Sequence, residues 1–211
     1  MLPVILLSAV CAAQSVREYG DWSYQPYARP QFGLSTWTSG GTTRSATSLG
    51  AQVGIRFWEQ KKRRPRIEGI SRASGSYLLS NGADGLDVRV GAFAGPAWKK
   101  LRVQTGPDVY WNRYTWGNVT LDPTTGLAWP VQASTRLKGI SLLAGLQPSF
   151  FLSSERDSVD WSEESLPGFG DEFTYFGAVG VSLGSLRFNV SLTQTITAYG
   201  SDRSLGLGVR L

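Results

Sequence analysis

A two-residue alternation of apolar and polar side chains recurs from about residue 45 to the last residue of the chain. Leu86, Val88, Val90, Ala92 and Ala94 alternate with Asp87, Arg89, Gly91, Phe93 and Gly95. The same beat runs through Leu101–Trp111 and Leu186–Ile196, and it closes the chain in Leu205, Leu207, Val209 and Leu211 against Ser204, Gly206, Gly208 and Arg210. Successive side chains of a strand point to opposite faces, so each segment has one apolar and one polar face. Around a closed sheet that pattern puts an apolar surface toward lipid and a polar lumen within.

Turn signals divide the chain into about ten strands, near 30–38, 46–58, 66–78, 86–98, 101–115, 127–135, 139–151, 173–184, 186–198 and 203–211. The expected fold is all-β: a closed antiparallel transmembrane β-barrel of about ten strands. Eight strands with Trp116–Arg136 as one loop is the alternative. Pro107, Pro130 and Pro148 fall inside expected strands; proline cannot donate to a ladder, so each needs a bulge or a strand end. Beyond Val10 no apolar run approaches the ~20 residues of a spanning helix. Eight tryptophans, eight tyrosines and nine phenylalanines in a chain only 18% charged suit strands with interfacial anchors.

Met1–Ala13 reads as a secretory signal, with an apolar Leu2–Val10 and small residues Cys11-Ala12-Ala13 at the cleavage site. Residues 14–29 are expected as a periplasmic N-terminal segment and 30–211 as the barrel. Cleavage after Ala13 leaves no cysteine, and histidine is absent throughout, which removes thiol and zinc-thiolate chemistry.

Charge is uneven. Lys61, Lys62, Arg63, Arg64 and Arg66 carry five charges, equal to the formal net charge of +5. Glu155, Asp157, Asp160, Glu163, Glu164, Asp171 and Glu172 crowd into another stretch. The connections alternate to match. Gln60–Pro65, Lys99-Lys100, Arg136–Lys138 and Gly184-Ser185 are tight, and three of them are basic. Ser39–Thr43, Leu79–Gly85, Trp116–Gly126, Phe151–Glu172 and Tyr199–Asp202 form the opposite set. Short periplasmic turns and longer outer loops orient such barrels. The Lys61–Arg66 turn is therefore expected in the periplasm and the acidic loop outside, with both termini in the periplasm. Trp58 and Trp98 flank two basic turns, at a headgroup level. A basic run between two strands of an exported chain does not point to nucleic acid.

With these features the chain resembles the broad class of small bacterial outer-membrane β-barrels, over roughly residues 30–211. The resemblance implies an outer-membrane location, contact with outer-membrane lipids and lipopolysaccharide, and recognition of the C-terminal strand, Ser204–Leu211, by the barrel-insertion machinery. In that class the terminal strand typically ends in an aromatic; here it ends in Leu211. Barrel enzymes of this size, the omptin proteases, lipid deacylases and palmitoyl transferases, depend on an active-site histidine, so none of their catalytic sets carries over.

Following the alternation inward places Arg56, Glu68, Arg72, Asp87, Arg89, Arg102, Asp108, Arg187 and Arg210 in the lumen, with Gln52, Gln104, Tyr110, Asn112, Asn189 and Thr193. A charge there needs water or a partner. Two readings follow: Arg89, Arg102 and Arg72 pair with Asp87, Glu68 and Asp108 to plug the barrel, or surplus arginines line a narrow anion-preferring path. The acidic loop has no calcium-loop spacing, and no metal or cofactor is expected. The expected function is a non-enzymatic barrel with a structural or surface-interaction role through its outer loops. An anion-preferring, porin-like channel is the first alternative, and a soluble periplasmic barrel around an apolar ligand is the second.

Overall fold

The computed structural model describes residues 15–39, 42–61, 64–80, 83–116, 119–120, 123–154, 172–183, 186–197 and 200–210. The expected signal, Met1–Ala13, lies outside them. Strands occupy β1 (Arg17–Tyr19), β2 (Trp22–Ser39), β3 (Thr42–Glu59), β4 (Arg66–Ser80), β5 (Ala83–Ala97), β6 (Leu101–Thr105), β7 (Asp108–Trp116) and β8 (Val119–Thr120). They continue with β9 (Thr124–Ala128), β10 (Val131–Leu137), β11 (Ile140–Ser154), β12 (Glu172–Leu183), β13 (Leu186–Thr197) and β14 (Gly200–Arg210). Neighbours are antiparallel, and β14 pairs with β2 from Arg203↔Thr38 to Arg210↔Gln31, which closes the sheet. β6 with β7 forms one barrel strand and β9 with β10 another, so the described residues make a closed ten-stranded barrel.

The two interruptions are where prolines enter the wall. Gly106-Pro107 separates β6 from β7, and Trp129-Pro130 separates β9 from β10. The register is the same on both sides of each break: Ala94↔Thr105 continues to Gly91↔Asp108, and Val131↔Leu146 continues to Ser149↔Ala128. One row across the wall therefore runs Ala92, Pro107, Trp129, Pro148. In it Ala92 N donates to Pro107 O at 3.0 Å, and Trp129 N donates to Pro148 O at 2.9 Å. Each of these two prolines keeps its acceptor and forfeits the one ladder bond its missing N–H would make. Gly106, at φ +154°, makes the bend possible, because a Cβ there would strike the Ala92 carbonyl.

β2 starts at Trp22 rather than at residue 30, because Pro26 and Pro30 do not end it. Among the described residues, β14 pairs with β2 only from Gln31 upward, and β1 covers only Trp22–Tyr24. Among the described residues both prolines thus pair with β3 along one edge, where proline is tolerated. The strands also reach further at the other rim than expected. Ser39–Thr43, Leu79–Gly85 and Tyr199–Asp202 shrink to connections at 40–41, 81–82 and 198–199. Thr42 and Thr43 lengthen the first of these ribbons, because threonine is a strong strand former. At about 3.3 Å per residue the 18-residue β2 and β3 exceed the roughly ten residues a tilted strand needs to cross a membrane.

The outer face is apolar: Leu49, Val53, Leu79, Val90, Leu192 and Leu207 are 48–64% exposed. Polar and charged residues take the inner positions of the same strands. A soluble barrel around an apolar ligand requires the reverse, which sets that alternative aside. At the rim of β3, Phe57 faces outward and stacks edge-on with Trp22 at 5.9 Å. Trp58 instead shares the inner face with Arg56, against the expectation of an interfacial anchor, because strand parity fixes its direction.

Aromatic side chains interlock with glycines directly across the ladder. Tyr27 pairs with Gly54, Tyr110 with Gly126 and Phe57 with Gly69. A Cβ on any of these glycines would overlap its partner's ring or the adjacent wall. The glycine removes the side chain that would stop the ring from lying flat on the neighbouring strand.

Val90, central on β5 and outward, tests the assigned face. Val90→Arg is expected to destabilise the membrane-inserted barrel by about 2–4 kcal/mol, read from denaturant titration of refolding into lipid vesicles.

Candidate functional site

The lumen wall from β2 to β10 carries the charges, in tiers that follow from inward parity on adjacent strands. Nearest the short-turn rim is Glu68, 8% exposed. Arg66 meets its Oε1 through Nε at 2.7 Å and Nη2 at 2.6 Å, and Arg102 Nε meets Oε2 at 2.7 Å. Two guanidinium groups on one carboxylate satisfy both oxygens, which is what makes a buried carboxylate tolerable. Gln104 Nε2 donates to the Glu68 carbonyl at 3.2 Å, and Gln132 Nε2 donates to Gln104 Oε1 at 3.5 Å.

Deeper lies Asp108, whose side chain is 1% exposed, 3.1 Å from Arg72 Nη2. It packs over Gly91, its register partner, where a Cβ would collide with it. Arg72 lies 4.6 Å over the buried Phe93 ring, an arrangement that adds cation–π attraction. Asp108 Oδ1 and Arg72 Nε have no protein hydrogen bond among the described residues, so this tier is the costliest polar contact in the wall. Toward the opposite rim, Arg89 Nε contacts Asp87 Oδ1 at 3.1 Å, two residues away on the same face of β5. Its guanidinium stands 5.8 Å over Tyr110. On β2 and β3, Arg29 and Arg56 stack on Tyr27 at 5.0 and 5.3 Å.

Another stretch of the wall, where β13 and β14 meet the upper parts of β2 and β3, is built of small residues. Gly33, Ser48, Asn189, Ser191, Gly206 and Gly208, with Gln31, border a recess of about 220 Å³. Long side chains and short ones thus share the interior, the mixed large-and-small packing by which a small barrel fills itself.

Of the expected site residues, Arg56, Glu68, Arg72, Asp87, Arg89, Arg102 and Asp108 lie together along this wall. Arg187 and Arg210 are opposite each other in the β13–β14 register, and their side chains lie outside the described set. In the acidic stretch Glu155, Asp157, Asp160, Glu163, Glu164 and Asp171 also lie outside it. Glu172, expected in that outer loop, instead begins β12 on the inner face, where Ser149 Oγ donates to it at 3.4 Å. Of the basic turn, Lys62 and Arg63 are outside, while Lys61 and Arg64 are exposed. Arg66 is not a turn residue: it starts β4 with inward parity and holds Glu68. Sequence reasoning missed Tyr27 and Arg29, yet Gln25-x-Tyr27-x-Arg29-x-Gln31 alternates cleanly once Pro26 and Pro30 are allowed within the strand. Phe93 was legible as an inward position, but its size gave no hint that it would seat Arg72.

No protein-family model and no curated protein matches the chain. Among solved structures, the β domain of the Bordetella autotransporter Brka aligns at 14% identity and a TM-score of 0.51, over 89% of this chain and 98% of that one. The translocator domain of autotransporter NalP from Neisseria meningitidis aligns at 12% identity and a TM-score of 0.39, over 99% and 94%. Pseudomonas aeruginosa OccK5 aligns at 9% identity and a TM-score of 0.35, over 92% and 68%. The Brka likeness is one of fold, and it joins the closed sheet and the apolar outer face described above. The chain has the closed antiparallel β-barrel fold seen in that outer-membrane domain.

The Arg72–Asp108 tier separates an ion pair that must stay whole from one that merely adds stability. Arg72→Met and Asp108→Leu are each expected to cost about 3 kcal/mol by stranding a charge, and the double variant less than either. Equilibrium unfolding in detergent micelles checks this: costs that simply add would show that the pair is not coupled.

Proposed function

We propose that this outer-membrane barrel is non-enzymatic, with a lumen sealed by its own side chains and a structural or surface-interaction role carried by its outer loops. The observation that carries the reading is the tiered wall, in which Glu68, Asp108 and Asp87 are each bound to arginine while Tyr27, Phe93 and Tyr110 fill the space between. Groups so engaged stiffen the barrel and oppose ion passage. The absence of histidine, and the exposure of Lys61, Lys99, Lys100 and Lys138 at the short-turn rim, support a non-catalytic lumen, since a serine nucleophile would have no base beside it.

In this reading the basic short turns lie in the periplasm. The acidic stretch Glu155–Asp171 then faces outward, where divalent ions bridge it to lipopolysaccharide. The terminal strand β14 is the element the barrel-insertion machinery reads. A narrow anion-preferring path is the second reading, favoured by the recess along Gly33, Ser191, Gly206 and Gly208 in a lumen that also carries arginines.

Planar-bilayer recording of the refolded chain distinguishes them. The sealed barrel is expected to give no discrete conductance, and Glu68→Ala to introduce brief openings by releasing Arg66 and Arg102. Stable anion-selective steps from the unaltered chain would establish the channel instead.

A further inference from the structure

The short-turn rim carries a second charged surface, distinct from the lumen. Three connections lie side by side there, because β3–β4, β5–β6 and β10–β11 are joined at this rim and the strands run in the order β3, β4, β5, β6, β10, β11. Their exposed cations are Lys61 and Arg64, then Lys99 and Lys100, then Arg136 and Lys138. Lys61 is held by Glu59 at 2.8 Å. Arg64 donates to the Trp98 carbonyl at 2.7 Å and ties the first turn to the second. Arg66 and Arg102 turn inward to Glu68.

Among the described residues, no carboxylate comes within ion-pair reach of Lys99, Lys100, Arg136 or Lys138. The rim's exposed acids, Glu18 and Asp21, sit with β1 beside the end of β3, at the far end of the arc. Lys138 holds φ at +45°, a conformation better suited to Asn or Gly. The remaining connection at this rim, residues 184–185, is Gly-Ser and adds no charge.

Just inside the cations on the outer face, Ile67, Trp98, Leu101, Leu137 and Ile140 are 38–46% exposed. In a membrane barrel such aliphatics meet acyl chains, Trp98 sits at the headgroup level, and neighbouring lysines extend toward water. The geometry points to a binding site for anionic phospholipid on this half of the rim, with Lys99, Lys100 and Lys138 on the headgroup phosphates and the acyl chains along Leu101, Leu137 and Ile140. Unpaired cations above an apolar strip match that amphiphile at both ends.

The test uses the full chain refolded into nanodiscs of equal parts phosphatidylglycerol and phosphatidylcholine, with retained lipid counted by native mass spectrometry. The unaltered barrel is expected to retain phosphatidylglycerol preferentially, and to lose that preference in high salt. Lys99→Gln/Lys100→Gln/Lys138→Asn should lower it by about fivefold or more, while Arg113→Gln, exposed toward the opposite rim, should leave it unchanged. A heat-resistant electrophoretic band checks that each variant is folded, and the salt titration needs no variant. No preference in the unaltered barrel, a preference indifferent to salt, or one that survives the triple substitution would overturn the site.

Discussion

A backbone N–H or C=O facing hydrocarbon has no water to turn to, so a sheet in a membrane stands only if its ladder closes. Here closure is the pairing of β14 with β2 over Arg203–Arg210 and Thr38–Gln31. Everything else is arranged to keep that circuit intact. In the lower part of β2, Pro26 and Pro30 reduce the number of donors to satisfy. In the Pro107–Trp129–Pro148 row the ladder loses donors without losing register.

Closure fixes which side chains meet inside, and the interior then has to be filled. Rings laid on cross-strand glycines, as Tyr27 on Gly54 and Tyr110 on Gly126, let strands carry large side chains without spreading the wall. Those rings become platforms: Tyr27 seats Arg29 and Arg56, Tyr110 supports Arg89, and Phe93 supports Arg72. Arginine suits this position because its flat guanidinium stacks on a ring while its edge still donates to a carboxylate. Lysine, a point charge on a flexible stem, is confined to the turns.

The strand number, the face of each strand and the lumenal charges on β3 to β7 were legible in the sequence, because a period of two survives any conformation that preserves register. What escaped was whatever depends on a neighbour. Arg66 looked like part of a basic turn until Glu68 and Arg102 came beside it. Tyr27 and Arg29 were hidden by Pro26 and Pro30, which β2 accommodates while pairing with β3. The hairpin ribbons that lead up to Ser39 and Ser80 were underestimated because serine reads equally as loop and as strand.

The proline row shows why the lumenal chemistry and the register are one constraint. A slip of one residue at Gly106-Pro107 would turn Asp108 and Tyr110 to the lipid and bring Val109 and Trp111 inward. An arginine or lysine facing lipid at mid-membrane costs about 2–4 kcal/mol, a carboxylate somewhat less, and the slip would also strand Arg72 without its carboxylate. A ladder carbonyl left without its donor costs about 1–3 kcal/mol, and each proline leaves one whichever way the strand is set, so a slip only adds to that cost. Keeping the register is therefore cheaper than shifting the strand, and the wall bends at the prolines while the charged face stays inside.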